Sequence, residues 1–312
     1  MAIRQETLPQ QAARAGTARS RRPRRTDRAG LLLTTPFFLV YFLFLLWPVL
    51  AAAWSSLFSD SLAGKNEAWL GLNNYGDLLK DSDFWSSMWH TLLFTLLSTP
   101  PLIILPLALA LLVNRVARGQ WLFRLAFFAP YVLPSSVVVL IWNWLYQPGY
   151  GLIDGYLAKV GLGEVNWLGQ EGVAMVAVVI ATVWWTFGFN FVLYLAALQD
   201  ISKELYEAAA TDGATGWQQI RRITLPLLMP TTILILMLQI VASLKVFDQI
   251  YLLLQGGPNF STRPAIQYIY ETGFTSYRLG YASALSFVFF LAVVLISLLL
   301  FKAVNLARRA EA

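Results

Sequence analysis

Glu207-Ala208-Ala209-Ala210-Thr211-Asp212-Gly213-Ala214-Thr215-Gly216-Trp217-Gln218-Gln219-Ile220-Arg221-Arg222-Ile223-Thr224-Leu225-Pro226 is a compact polar island between two long apolar stretches. Apolar runs of that length read as membrane spans, so the island reads as a connection where a soluble partner could reach the chain. Leu205 to Ala210 are good helix formers, and Gly213 can take the left-handed conformation that ends a helix. Thr215 followed by Gln218 is a capping-box signature, and Pro226 suits the first turn of a following helix. Two short helices around a turn are expected here, with a span beginning near Pro226.

Outward from the island the chain is membrane-like throughout. Of 312 residues, 57% are hydrophobic and 13% charged, with a mean hydropathy of +0.58. Soluble domains carry about 25% charge. The fold class expected is therefore all-α, a polytopic membrane protein with six spans near 31–57, 86–113, 122–146, 172–198, 227–253 and 279–301. One six-helix domain over 30–305 is expected between a disordered basic tail (1–29) and a short C-terminal tail (306–312), with the polar connection at 199–226. Cysteine is absent, which excludes disulfides and thiol chemistry.

Seventeen of the twenty-three Lys and Arg fall in the N-terminal tail, the 114–124 turn, the 199–226 connection and the C-terminus. Five fall in the connections on the other face, and Lys245 lies within the fifth span. The positive-inside rule places both termini and the island in the cytoplasm, with the chain in the plasma (inner) membrane. The net charge of +6 thus reports topology and contact with the lipid bilayer, and no nucleic acid is expected as a partner. Ser20-Arg21-Arg22-Pro23-Arg24 resembles a twin-arginine start. The apolar run that follows is longer than a signal core, so a retained first helix is expected.

No catalytic constellation is present. His90 is the single histidine and reads as structural or interfacial. Gly64-Lys65 is followed by Asn66 and lacks the upstream glycine of a phosphate loop. No catalytic residue, no metal site and no cofactor is expected in this chain, and a membrane enzyme is disfavoured.

Polar residues inside spans are costly unless paired or wet, so they mark candidate sites. In the fifth span Gln239 and Ser243 lie about 40° apart around the helix and share a face. Lys245 and Asp248, three apart, point elsewhere and could form an intramembrane ion pair. Such a pair would be structural or would line a path. In the fourth span Trp185 with Phe189, and Thr186 with Asn190, form an aromatic-plus-polar strip that suits a sugar or, equally, helix packing. In the third span Tyr131 and Ser135 share a face. Interior prolines (Pro36, Pro48, Pro100, Pro101, Pro106, Pro130, Pro134, Pro230) remove helical hydrogen bonds, and the carbonyls they free need other partners.

The spacing Glu207-Ala208-Ala209, then Gly213, then Ile223-x-Leu225-Pro226 resembles the EAA loop of ABC-importer permeases and meets every fixed position of that pattern. Gly71-Leu72-Asn73-Asn74-Tyr75, Pro130-Tyr131 to Pro134-Ser135, Val246-Phe247-Asp248 to Gly256-Gly257-Pro258, and Gly280 to Ala284 are similar to the carbohydrate branch of that family, which includes maltose, glycerol-phosphate and oligosaccharide importers. The likeness spans roughly 30–305 and implies a type I permease fold. It implies a second homologous permease, two ATPase subunits that bind ATP and Mg, an extracytoplasmic solute-binding protein, and a sugar or sugar-like solute. It makes Glu207, Ala208, Ala209, Asp212, Gly213, Ile223, Leu225 and Pro226 the ATPase-coupling residues. Tyr131, Ser135, Trp185, Thr186, Phe189, Asn190, Gln239 and Ser243 become the substrate path. His90 departs from the Asn that relatives commonly carry before the Thr at the position of Thr91. Rival readings are an ion-coupled secondary transporter that uses Lys245 and Asp248, and an ABC permease for a non-sugar solute.

Overall fold

The computed structural model describes residues 26–59, 68–116, 118–161 and 163–310. Most of the expected N-terminal tail lies outside them. The described residues divide into two compact units that part at Ala51 and Ala52. In the first, α1 (Thr26–Tyr41) runs through a π-helical turn (Phe42–Leu46) into α2 (Trp47–Ser55), whose last residues, from Ala52, belong to the second. The π turn precedes Pro48, whose ring and missing N–H disturb the helical ladder one turn back. Helix starts at Thr26 rather than near residue 31, because Ala29 and Leu31 to Leu33 are sound helix formers.

The second unit continues with α3 (Asn73–Lys80), α4 (Ser82–Asn114), α5 (Gln120–Val132), α6 (Ser135–Leu145), α7 (Leu152–Lys159) and α8 (Val173–Gln199). There follow α9 (Lys203–Thr211), α10 (Gly216–Gln219), a π turn (Ile220–Thr224), α11 (Leu225–Leu244), α12 (Asp248–Leu254), α13 (Ala265–Tyr270), a π turn (Glu271–Thr275) and α14 (Leu279–Ala310). Among the described residues no strand forms; a lone bridge pairs Phe58 with Trp69. Five helical segments are long and apolar enough to cross a bilayer: Leu32–Ser55, Ser82–Asn114, Val173–Gln199, Gly216–Leu244 and Leu279–Val304. The pair α5 and α6 is apolar enough only when taken together, and it is bent by 98°, the form of a broken span or a re-entrant loop; counted as one span it makes six.

Two expected spans differ in form. The third breaks at Leu133-Pro134, because the residue before a proline is pushed out of the α region; Leu133 sits at φ −70°, ψ 139°. The fifth stops at Leu244. Lys245 turns to φ −95°, ψ 20° and Phe247 to φ −152°, ψ −66°, so α12 starts afresh at Asp248. The last helix outlasts the expected C-terminal boundary and runs to Ala310.

Helix α8 packs against α4, α5 and α11, with Phe191, Tyr194, Leu195, Leu198, Leu228 and Ile235 at the heart of one cluster. Lipid is as apolar as these side chains, so close packing and hydrogen bonds hold such helices together. At Gly188 a Cβ would lie 2.0 Å from the Phe127 carbonyl oxygen, which shows how closely α5 and α8 approach.

At the end of the bundle remote from the 199–226 connection, the described loop residues are tied together by polar contacts. Asn74 Nδ2 donates to the carbonyls of Ser56 (2.8 Å) and Phe58 (3.0 Å), and the Tyr75 and Ser56 hydroxyls meet at 2.8 Å. Asp81 caps α4 through Oδ1, while its Oδ2 accepts from the Tyr268 and Tyr281 hydroxyls, both at 2.6 Å. Burial pushes this carboxyl up, but the two hydroxyls and the N–H groups of Phe84 and Asp83 outweigh it and hold it below the ordinary carboxylate value. Burial and the Asp81 carboxylate together push the Tyr268 phenol well up. Arg263 is buried beside them, 3.6 Å from both Asp83 and Glu271, with Phe260 and Tyr268 rings against its guanidinium. His90 stands beside this group, its Nδ1 3.3 Å from the Arg263 carbonyl oxygen. Gly256, at φ +81°, passes so near Arg263 and Gln267 that a Cβ would come within 2.9 Å of each. The Gly-Gly-Pro stretch thus serves this close crossing.

Candidate functional site

A cavity of about 370 Å³ opens between α4, α5, α8, α11 and α12. Phe94, Tyr131, Thr182, Thr186, Phe189, Asn190, Leu238, Gln239, Ala242, Ser243 and Gln249 line it. Pro106 has no N–H to offer the Leu102 carbonyl four residues back, and Asn190 Nδ2 supplies that hydrogen bond from α8 at 2.8 Å. The same amide reaches Gln239 Oε1 at 3.3 Å, Gln239 Nε2 donates to Ser243 Oγ at 3.1 Å, and Ser243 meets Ser98 at 3.1 Å. One relay therefore ties α4, α8 and α11 around the cavity. Tyr131 and Phe189 form an aromatic wall, stacked at 5.3 Å and 24°.

Six of the eight residues expected on the path line this cavity: Tyr131, Thr186, Phe189, Asn190, Gln239 and Ser243. Ser135 and Trp185 do not. The 98° bend separates Ser135 from the face of Tyr131, since the two no longer share a helix. Trp185 turns toward the break, where its Nε1 donates to the freed Leu133 carbonyl at 3.2 Å and its ring packs in the cluster of Val138, Trp142 and Tyr146. Phe94, Thr182 and Gln249 were missed. Thr182 was within reach, because it continues the Thr186 and Asn190 row at four-residue spacing. Gln249 enters only through the break after Leu244, from which its Nε2 reaches Thr182 Oγ1 at 3.4 Å.

The expected ion pair of Lys245 and Asp248 does not form. Its geometry required one continuous helix, and the chain leaves the helix between the two residues. Both side chains are exposed, and the ion pairs among the described residues are those of Arg263.

The polar island takes the expected local form. α9 ends at Thr211 with Asp212 as its C-cap, Gly213 adopts φ +79°, and Thr215 and Gln218 make a reciprocal capping box at the start of α10. The second helix is longer than expected, because it runs through the π turn and Pro226 directly into α11. Glu207, Ala208, Asp212, Gly213 and Pro226 are exposed, whereas Ala209, Ile223 and Leu225 are half-buried. Exposed Leu205 and Trp217 add apolar surface to the same connection. The hydroxyls of Tyr206 and Thr224 meet at 3.0 Å, and Gln219 Nε2 donates to the Tyr206 carbonyl at 3.4 Å, so α9 is pinned to the base of α11.

Residues 82–310 match the family described as the binding-protein-dependent transport system inner membrane component. The chain belongs to this family. This permease subunit is 35% identical to a sulfoquinovosyl glycerol transport system permease of Agrobacterium fabrum, over 84% of this chain and 85% of that one. It is 36% identical to a trehalose/maltose transport system permease of Thermococcus litoralis, over 86% and 91% of the two. Its fold is that of a chain in a bacterial ABC transporter involved in the import of the acidic polysaccharide alginate, with a TM-score of 0.79, 27% identity and coverage of 91% and 96%. The permease is thus a multi-pass inner-membrane transport component, and five long apolar helices with one sharply bent pair are how its sequence builds one.

Proposed function

We propose that this permease forms one half of the translocation path of an ATP-driven importer for a sugar or sugar-like solute. The observation that carries the reading is the cavity beside the broken spans, where a stacked Tyr131–Phe189 wall faces amides and hydroxyls. Aromatic faces suit the apolar face of a sugar ring, and amides and hydroxyls suit its hydroxyls. Relatives that serve trehalose/maltose and sulfoquinovosyl glycerol support a sugar class.

A second permease completes the path, and two partner ATPases bind ATP and Mg, since this chain has no phosphate loop. Both termini and the 207–226 connection face the cytoplasm under the positive-inside rule. There the exposed α9–α10 turn meets an ATPase groove, with Glu207, Ala208, Ala209, Asp212 and Gly213 at the contact and Ile223, Leu225 and Pro226 carrying motion into α11. The pin between Tyr206 and Thr224 makes that transfer stiff. An extracytoplasmic binding protein delivers solute at the opposite face, in keeping with the alginate transporter crystallised with its pentasaccharide-bound periplasmic protein.

Purification of the tagged chain from native membranes in mild detergent tests this reading. Co-elution of a second permease with an ATPase pair is expected. A lone chain or a homo-oligomer under conditions that preserve complexes would favour an ion-coupled transporter instead.

A further inference from the structure

Family membership leaves the charge of the solute open, because relatives serve both trehalose/maltose and the acidic polysaccharide alginate. We infer that the cavity of this permease selects an uncharged, hydroxyl-rich solute and rejects carboxylates, phosphates and sulfonates. The inference rests on the sugar reading of the same cavity.

Two observations carry it. No ionisable cation is among the lining residues: the polar ones are Tyr131, Thr182, Thr186, Asn190, Gln239, Ser243 and Gln249. Lys245 lies two residues beyond Ser243, yet the break after Leu244 leaves it outside the lining. The second observation concerns the donors. Asn190 spends its amide hydrogens on the Leu102 carbonyl and on Gln239, and Gln239 gives one of its own to Ser243. Thr186 donates to the Thr182 carbonyl at 2.8 Å, and Thr182 donates to the Val178 carbonyl at 2.8 Å. That leaves the Tyr131 hydroxyl and one N–H each on Gln239 and Gln249 as donors, beside the acceptor oxygens of the lining. Neutral donors and acceptors in that number suit the hydroxyls of a sugar and fall short of what an anion requires. An anion within the bilayer core needs a cation or several free N–H groups to replace its lost water.

The test is equilibrium binding to the purified complex that contains this chain, without added binding protein. The probes are maltose, trehalose and sucrose, set against trehalose 6-phosphate, sucrose 6-phosphate and glucuronic acid, with alanine and histidine as non-sugar probes. The wild type should bind at least one neutral sugar, and its acidic partners ~10-fold or more weakly. Thr186→Lys, which places an ammonium among the lining residues, should narrow or invert that preference. Equal or tighter binding of an acidic sugar by the wild type would overturn the inference and leave the sugar reading standing. Binding of an amino acid, or of no sugar at all, would overturn the sugar reading itself.

Discussion

The side-chain amide of Asn190 donates a 2.8 Å hydrogen bond to the backbone carbonyl of Leu102, the acceptor that Pro106 leaves without its helical donor. A proline in one span is thereby matched by an asparagine in another, and the match sits at the cavity wall. Loss of a partner from a buried carbonyl costs about 1–3 kcal/mol. Asn190→Leu should lower the thermal stability of the purified complex by that amount and abolish uptake. Adding Pro106→Ala, which restores a helical donor to Leu102, should recover much of the stability but not the uptake. Equal melting of Asn190→Leu and wild type would show that the bond contributes nothing.

Gly188 permits a close approach of α5 and α8, with the Phe127 carbonyl oxygen 2.0 Å from where a Cβ would stand. Gly188→Ala should cost about 1–3 kcal/mol through overpacking between α5 and α8. Gly76→Ala, which meets nothing within 4 Å, is the control and should be neutral. Size-exclusion profiles after graded heating read the difference.

At Gly213 the backbone holds φ +79° with open space around it, so the demand there is conformational rather than steric. Gly213→Asp should leave membrane insertion and solute binding intact while uncoupling ATP hydrolysis from uptake. Normal uptake by this variant would remove the coupling role from the turn.

The Asp81 carboxyl is held below its ordinary value of 3.8 in the folded protein. A lowered folded value means that its contribution to stability is complete above the unfolded value and fades as pH falls through the folded one. Wild-type melting temperature should therefore hold from neutral pH down to the usual carboxylate range and drop below it. Asp81→Asn should melt lower than wild type at neutral pH, with a shallower fall in acid, as read by intrinsic fluorescence across a pH series.

The form of the 207–226 connection was almost wholly legible from residue types, because its cap, its left-handed glycine and its proline act within a few residues of one another. Thr215 and Gln218 form the capping box that their spacing announces. The cavity was legible in part. Asn190, Thr186, Gln239 and Ser243 lie on unbroken stretches of α8 and α11, where helical periodicity holds. Ser135, Lys245 and Asp248 lie at or beside breaks, where it fails, and Trp185, though on unbroken α8, is drawn to the carbonyl that the α5–α6 break frees. Arg263 looked like one more charge on an outer loop, yet it is buried between Asp83, Glu271 and two aromatic rings. Its pairing depends on segments some 180 residues apart in the chain, as with Asp83.

Sequence alone determined the membrane class, the apolar segments, the form of the 207–226 connection and the family, since hydropathy, capping and motif spacing are local properties of the chain. The tertiary structure decided where the spans break, which carbonyls the prolines free, and which distant side chains answer them. A broken helix resets the direction of every residue after it. Which amide then fills a freed acceptor is a matter of three-dimensional distance, and no spacing along the chain encodes it.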